Sequence, residues 1–231
     1  TPLEAFSRPK KNGIRAILLG EDDEVVSVGL TAPSDTIILD TENGRSIHFD
    51  EKAVRSMGRS SRGVRGIKLK EEDALVGMIV ADPEAFLLTA CEHGHGKRTP
   101  IADYPIKGRG GQGVINIRTE GRNGKVVSVA LCRDGADAMF VTEGGMIVRT
   151  PVSDVSTVGR NTQGVRLVNL KNDDRLVGLE IVRIADLERE SEALADAEPA
   201  QPKADDGSPE DATDAEDAGE GSGSEGEGEE E

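Results

Sequence analysis

The 231 residues carry 28 Lys plus Arg against 44 Asp plus Glu, a formal net charge of −16, with only 2 % aromatic residues and no Trp. No apolar run approaches the ~18 residues of a membrane-spanning helix. Two cysteines, Cys91 and Cys132, make neither a disulfide framework nor a zinc site by themselves, which suits a reducing cytoplasm. No basic flank followed by an apolar run marks a secretory signal, and a start at Thr1 rather than Met suggests a segment of a longer chain.

Taken from the N-terminus, the chain repeats itself about every 50 residues. Gly13-Ile-Arg-Ala-Ile17 returns as Gly63-Val-Arg-Gly-Ile67, Gly113-Val-Ile-Asn-Ile117 and Gly164-Val-Arg-Leu-Val168. A second marker keeps phase with it: Val25-Val26-Ser27, Leu75-Val76-Gly77, Val126-Val127-Ser128 and Leu176-Val177-Gly178. A third is an apolar run entering a Gly turn, before Asn43-Gly44, His93-Gly94 and Gly144-Gly145. The fourth is a loop marker, Gly58-Arg59, Gly108-Arg109 and Gly159-Arg160, five residues before the glycine that opens the next repeat.

Each repeat holds short Val-, Ile- and Leu-rich runs cut by Gly, Asn and Asp, which suits strands and not helices. In the second repeat the strands are expected at roughly 63–70, 74–80, 85–91 and 96–101. Asn43-Gly44 reads as a two-residue hairpin turn that needs positive φ. Four-stranded units at this period point to radially arranged blades, an all-β, propeller-like fold. The expected divisions are 1–12 as the end of a preceding blade, 13–62, 63–112 and 113–163 as blades, 164–184 as a half blade, and 185–231 as an acidic tail. The tail holds 19 acids and two bases, −17, which leaves the body 25 acids and 26 bases, +1. After Leu194 it has no Val, Ile, Leu or aromatic residue, so it is expected to be disordered, after a short helical stem over Ile184–Ala195. Such a tail serves solubility, or competes with a polyanion for a site on the same chain.

The strings AVRSMGRSSRGVRGIKL (53–69), GHGKRTPIADYPIKGRGGQGVINI (94–117) and MIVRTPVSDVSTVGRNTQGVRLV (146–168) resemble the C-terminal domain of the A subunit of bacterial DNA gyrase, and the likeness runs over about residues 1–183. The resemblance implies a β-pinwheel whose blades exchange strands and whose basic rim wraps duplex DNA. It also implies a bacterial, cytoplasmic, nucleoid-associated parent, a heterotetramer of two A and two B subunits that uses ATP and Mg²⁺ through other domains to introduce negative supercoils. The family's first blade, with its glycine-rich box, is absent; Lys107-Gly108-Arg109-Gly110-Gly111-Gln112-Gly113 is box-like but lies in the second full repeat. The parent's cleavage module is also absent, so this segment carries no catalytic residues and no cofactor. Tyr104 reads as a packing or loop residue.

A wrapping surface needs phosphate contacts more than base contacts, because counterion release supplies most sequence-independent affinity. The candidate DNA-binding residues are Arg8, Lys10 and Lys11 near the N-terminus, Arg55, Arg59, Arg62, Lys107, Arg109 and Arg160 in the inter-blade loops, and Lys97, Arg98 and Arg149 at strand ends. Gly108, Gly110, Gly111 and Gly113 in the box-like loop let backbone approach a phosphate. Scarce aromatics argue against single-strand binding. His93, His95, Cys91 and Glu92 cluster in a turn but lack partners for a metal site, and the acidic pairs Asp22-Asp23, Glu71-Glu72 and Asp173-Asp174 read as turn chemistry. Two rival readings are a propeller that binds proteins and the C-terminal DNA-binding domain of the A-type chain of topoisomerase IV.

Overall fold

The computed structural model describes residues 1–171 and 173–183, so the acidic segment 185–231 and the stem Ile184–Ala195 lie outside the described residues. The described strands, in chain order, are β1 (Thr36–Thr41), β2 (Arg45–Asp50), β3 (Leu75–Ala81), β4 (Phe86–Cys91), β5 (His95–Pro100), β6 (Val114–Ile115), β7 (Val126–Cys132), β8 (Ala136–Thr142), β9 (Ile147–Pro151), β10 (Val165–Arg166) and β11 (Leu176–Arg183). They form three antiparallel sheets, ordered β3-β1-β2-β6, β10-β5-β4-β7 and β11-β8-β9. Each sheet is one blade. No sheet is contained in one sequence repeat: a hairpin from one repeat takes β3, β7 or β11 from the next, and β6 or β10 from the one after. This is the strand exchange that the family resemblance implies.

The hairpins β1–β2, β4–β5 and β8–β9 share one turn. The expected two-residue turn at Asn43-Gly44 is a three-residue loop, Glu42-Asn43-Gly44, in which only Gly44 takes positive φ (72°) and its N–H bonds back to Thr41 O at 2.9 Å. Gly94 and Gly145 repeat this geometry, bonded to Cys91 O and Thr142 O at 3.0 Å each. The acidic pairs serve the same turns. Asp22, Glu72 and Asp173 sit at φ near 60°, and the Asp after Glu72 or Asp173 accepts the turn amide of Asn43 or Gly144. The second marker is a β-bulge. Asp40 pairs with Gly77 but Thr41 with Leu75, which leaves Val76 unpaired, and the shift recurs at Val127 and Val177.

Alternation along the central strands divides the core. On β1, Ile38 faces the second blade and packs with Leu87, Ile101 and Tyr104, while Ile37 turns to Ile47, Phe49 and Ile67 on the other side. On β4, Leu87 faces the first blade while Leu88 and Ala90 meet Ala138 and Phe140 of the third. Both faces of β4 are therefore covered, so FLLTAC reads as a continuous apolar run. Leu87, Leu88, Phe140 and Ile38 are fully buried, each contributing about 1.5–3 kcal/mol by removal from water. Burial also pushes the thiols of Cys91 and Cys132 up to about 12 and about 11, so both are inert packing groups.

Strands β3, β4 and β5 occupy three of the four positions expected in the second repeat, but 63–70 forms no strand. The reason is register. Its counterparts β6 and β10 pair with β2 and β5, whose residues precede them by about 70 positions (Arg45↔Ile115, His95↔Arg166). No described residue stands in that place for 63–70. The glycines record the difference. A Cβ on Gly113 or Gly164 would fall on the backbone of Ser46 or Gly96, whereas Gly13 and Gly63, with the same positive φ, have open space. Similarly, Val28 and Leu30, in the counterpart of β3, are 85 % and 75 % exposed, and Leu3 is 66 % exposed where Ile101 and Val152 are buried.

Candidate nucleic-acid interface

Contacts between sheets define an inside and an outside. Strand β7 packs against β3 on one side and β11 on the other, so these three line the axis of the arc. At one end of them the bulged Val76, Val127 and Val177 and the turn residues Glu42, Glu92 and Glu143 surround an opening of about 630 Å³. Lys125 pairs with Glu42 at 2.6 Å and Arg175 with Glu92 at 2.9 Å across it. At the opposite end Arg133 pairs with Asp82, and Glu84 stands 3.6 Å away. Strands β6 and β10 are at the far edge of their sheets from the axis, and the loops that lead into them run along the outer edge.

The cations divide the same way. Segments 7–12, 54–66, 104–113 and 155–164 contain ten Lys and Arg residues and no Asp or Glu. Among the described residues no cation of these segments is in a salt bridge; every Lys or Arg that pairs with a carboxylate lies elsewhere. Arg8, Lys10, Lys11, Arg55, Arg62 and Lys107 are exposed. Arg59 and Arg109 are half-buried, their heads turned down onto the backbone: Arg59 Nη1 donates to Arg15 O and Arg109 Nη1 to Arg65 O, both at 2.9 Å, and Arg109 Nε donates to Ala53 O at 2.7 Å. Arg160 lies 5.9 Å over the Tyr104 ring. The Gly-Arg marker thus fastens its loop to the opening of its own repeat at Arg59 and Arg109, and to the preceding repeat at Arg109 and Arg160, as well as placing charge.

One expected DNA contact is corrected, and two others are found in ion pairs. Lys97 is fully buried between the first two blades; its ammonium donates to Asn116 O at 2.8 Å and Gly159 O at 2.7 Å, and burial, with Arg160 nearby, lowers its pKa to about 8. It holds the 155–164 loop from beneath. Arg98 pairs with Asp134 and stacks 4.8 Å over Phe86, and Arg149 Nε donates to Asp137 at 2.7 Å. Arg98 is half-buried in its pair, whereas Arg149, on β9 at the edge of its sheet away from the axis, stays exposed beside Asp137. Tyr104 is buried and donates to Asn116 Oδ1 at 2.7 Å, while burial holds its phenol well above the ordinary range. Within the box-like loop, Gly113 is required by the close approach to Ser46, and Gly110 by its φ of 79°; Gly108 and Gly111 meet no such constraint.

Some cations of the outer edge were not singled out by the loop marker. Arg166 is exposed on β10, and Arg118 and Arg122 follow β6, their guanidinium groups donating to Asn161 Oδ1 and Gly164 O. The opening marker carried this signal: Arg15, Arg65 and Arg166 share its third position. That position faces outward on the outermost strand, where Ile115 is 39 % exposed in the repeat that lacks the arginine.

Comparison with known proteins agrees with this arrangement. The family described as DNA gyrase C-terminal domain, beta-propeller, matches residues 1–32, 35–82, 86–133 and 136–183. The last three segments each hold one hairpin and the inner strand paired with it. The DNA gyrase A subunit of Pseudomonas aeruginosa is 40 % identical over 183 residues, 79 % of this chain and 20 % of its own length. The Klebsiella oxytoca gyrase A protein is 44 % identical over 182 residues, 79 % of this chain and 21 % of its own length. The chain therefore spans about a fifth of the length of these relatives. A solved structure of a DNA gyrase A C-terminal domain superposes with a TM-score of 0.68 at 27 % identity, covering 74 % of this chain and 59 % of the other. The C-terminal domain of DNA topoisomerase IV superposes at 0.77 with 24 % identity, covering 84 % and 61 %, and shows the fold alone. By sequence over nearly all its described length, and by a sheet architecture built from exchanged strands, the chain belongs to the DNA gyrase C-terminal domain family.

Proposed function

We propose that this chain is the DNA-wrapping domain of the gyrase A protein. It binds duplex DNA without sequence preference along its outer edge and bends it, so that a parent enzyme of two A and two B subunits, in the cytoplasm, passes strands in one sense and introduces negative supercoils at the expense of ATP. One observation carries the reading. Segments 7–12, 54–66, 104–113 and 155–164 hold ten cations and no acid, and the last two lead into the outermost strands β6 and β10, while the ion pairs gather on inner strands and hairpins. A body of net charge +1 presents a positive track only through such segregation. Bending 20–30 bp by 40–90° costs on the order of 1–6 kcal/mol, and 6–10 phosphate contacts change affinity by ~10³–10⁵ between 50 and 200 mM salt, so this number of cations suffices at modest salt.

The test is topological. A circular plasmid relaxed in the presence of the chain is expected to show a linking-number shift toward positive writhe. Salt-sensitive binding without a shift favours a topoisomerase IV-like role. No salt-sensitive binding to duplex DNA at all would sink the reading and favour a protein-binding propeller.

A further inference from the structure

The loop marker pairs an arginine with a glycine at one phase in three repeats, and the fold gives a reason only for the arginine. Gly58, Gly108 and Gly159 have no positive φ, and a Cβ built on any of them meets nothing within 4 Å. Any residue fits there as far as this chain is concerned. The neighbouring amides are equally distinctive. Lys107 N–H bonds His48 O at 2.7 Å and Gly110 N–H bonds Gly66 O at 2.5 Å; one repeat later Val158 N–H bonds Arg98 O at 3.0 Å and Asn161 N–H bonds Asn116 O at 2.8 Å. Between these anchors the N–H groups of Gly108 and Arg109, and of Gly159 and Arg160, have no acceptor among the described residues.

We propose that Gly58, Gly108 and Gly159 are three phosphate-approach stations, one per repeat, where a DNA phosphodiester comes down onto the bare loop backbone and accepts its two successive N–H groups. This rests on the proposed DNA-wrapping function and names how that surface engages its ligand. An anchored loop with two adjacent unspent donors and no side chain above them binds an anion through backbone dipoles. The charge comes from beneath and beside: the Arg59 and Arg109 heads are bonded to backbone carbonyls of Arg15, Arg65 and Ala53, Arg160 lies over Tyr104, and the Lys97 ammonium holds Gly159 O. No carboxylate occurs in any of the three loops to compete for the donors. The missing Cβ is then explained by the ligand: a side chain at these positions would hold the phosphate away from the amides.

The experiment measures binding of the full chain to a labelled mixed-sequence duplex by anisotropy across about 50–200 mM salt. The variant Gly58→Val/Gly108→Val/Gly159→Val keeps every charge. Its melting temperature should match the parent's, because the added side chains enter open space. Loss of three neutral backbone contacts should lower affinity at ~0.1 M salt roughly 10²–10³-fold while leaving the slope of log K against log salt nearly unchanged, because no cation is removed. Should the valine variant melt early, the corresponding triple alanine variant, with its smaller side chains, is expected to lose affinity in the same direction and to a lesser degree. Unchanged binding by a folded glycine variant overturns the stations. If Arg62→Gln/Lys107→Gln weakens binding at the same time, the DNA-wrapping reading stands without them. A parent chain that does not bind the duplex overturns both.

Discussion

Asp40→Asn tests the one carboxylate sealed between the first two blades. Asp40 is 1 % exposed. Its Oδ1 accepts the Ser46 hydroxyl and, at 3.2 Å, the Asn116 amide, while Oδ2 has no partner among the described residues. Burial outweighs these donors and raises the carboxyl to about 7. Against an ordinary value near 3.9, about three pK units at about 1.4 kcal/mol each place a penalty of about 4 kcal/mol on the ionised form. Because the folded value lies above the unfolded one, the stability that depends on this proton is fully present below about pH 4 and is lost as pH rises through about 7. Asn carries no charge, keeps an oxygen for Ser46 and Asn116, and puts an unsatisfied NH₂ where Oδ2 stands, at about 1–3 kcal/mol. The variant should therefore be less stable than the parent by about 1–3 kcal/mol near pH 4, and more stable by a similar amount near pH 8. Urea unfolding of both proteins at several pH values reads the difference, in which all other titrations cancel. A difference that stays constant with pH would refute the burial of an ionisable Asp40.

Lys97→Met should leave the salt slope of DNA binding unchanged, because the ammonium is spent on two buried carbonyls; a drop of about 0.9 would restore Lys97 as a phosphate contact. In chemical denaturation, Gly164→Ala should cost several times more than Gly63→Ala, since only the first drives a Cβ into the Gly96 backbone, and the second bears just the ~1 kcal/mol of a strained φ. Equal losses would show that 63–65 has a backbone partner as close as that of β10. Deleting 195–231, which holds most of the −17 that separates the whole chain from its near-neutral body, should tighten DNA binding in a gel-shift titration; no change would remove the tail as an electrostatic competitor.

The period, the all-β class and the blades were legible because each marker corresponds to a local backbone constraint. Gly44, Gly94 and Gly145 close the hairpins in left-handed geometry, Gly113 and Gly164 let the outer strand touch β2 and β5, and Val76, Val127 and Val177 are bulges. Sheet membership was less legible, because β6 and β10 find partners about 70 residues away, and a local reading assigns 63–70 the same strand whether or not the partner is there. Charge alone misplaced Lys97. Aligning the hairpins sets Lys97 beside Ile47 and Val148, both apolar, at a position of the same parity as buried Thr99; its neighbour Arg98 takes the other parity. Side-chain alternation, not residue type, separates the buried lysine from the cations of the edge.

Strand exchange also grades the proposed stations against one another. The loops around Gly108 and Gly159 are fastened by backbone bonds to His48 and Arg98 of the preceding repeat and to Gly66 and Asn116 at the opening of their own. The loop around Gly58 lacks the equivalent backbone pair among the described residues and is held by Arg59 to Arg15 O and by Leu18 N–H to Ser61 O. A phosphate arriving at a fastened loop finds its donors already placed; at the first loop part of the gain is spent on ordering the backbone. A single Gly108→Val or Gly159→Val change should therefore weaken duplex binding more than Gly58→Val, although all three open the same space and change no charge. Equal effects in anisotropy titrations would mean that fastening by these backbone bonds contributes nothing to binding, and that the anchored amides are a consequence of folding alone.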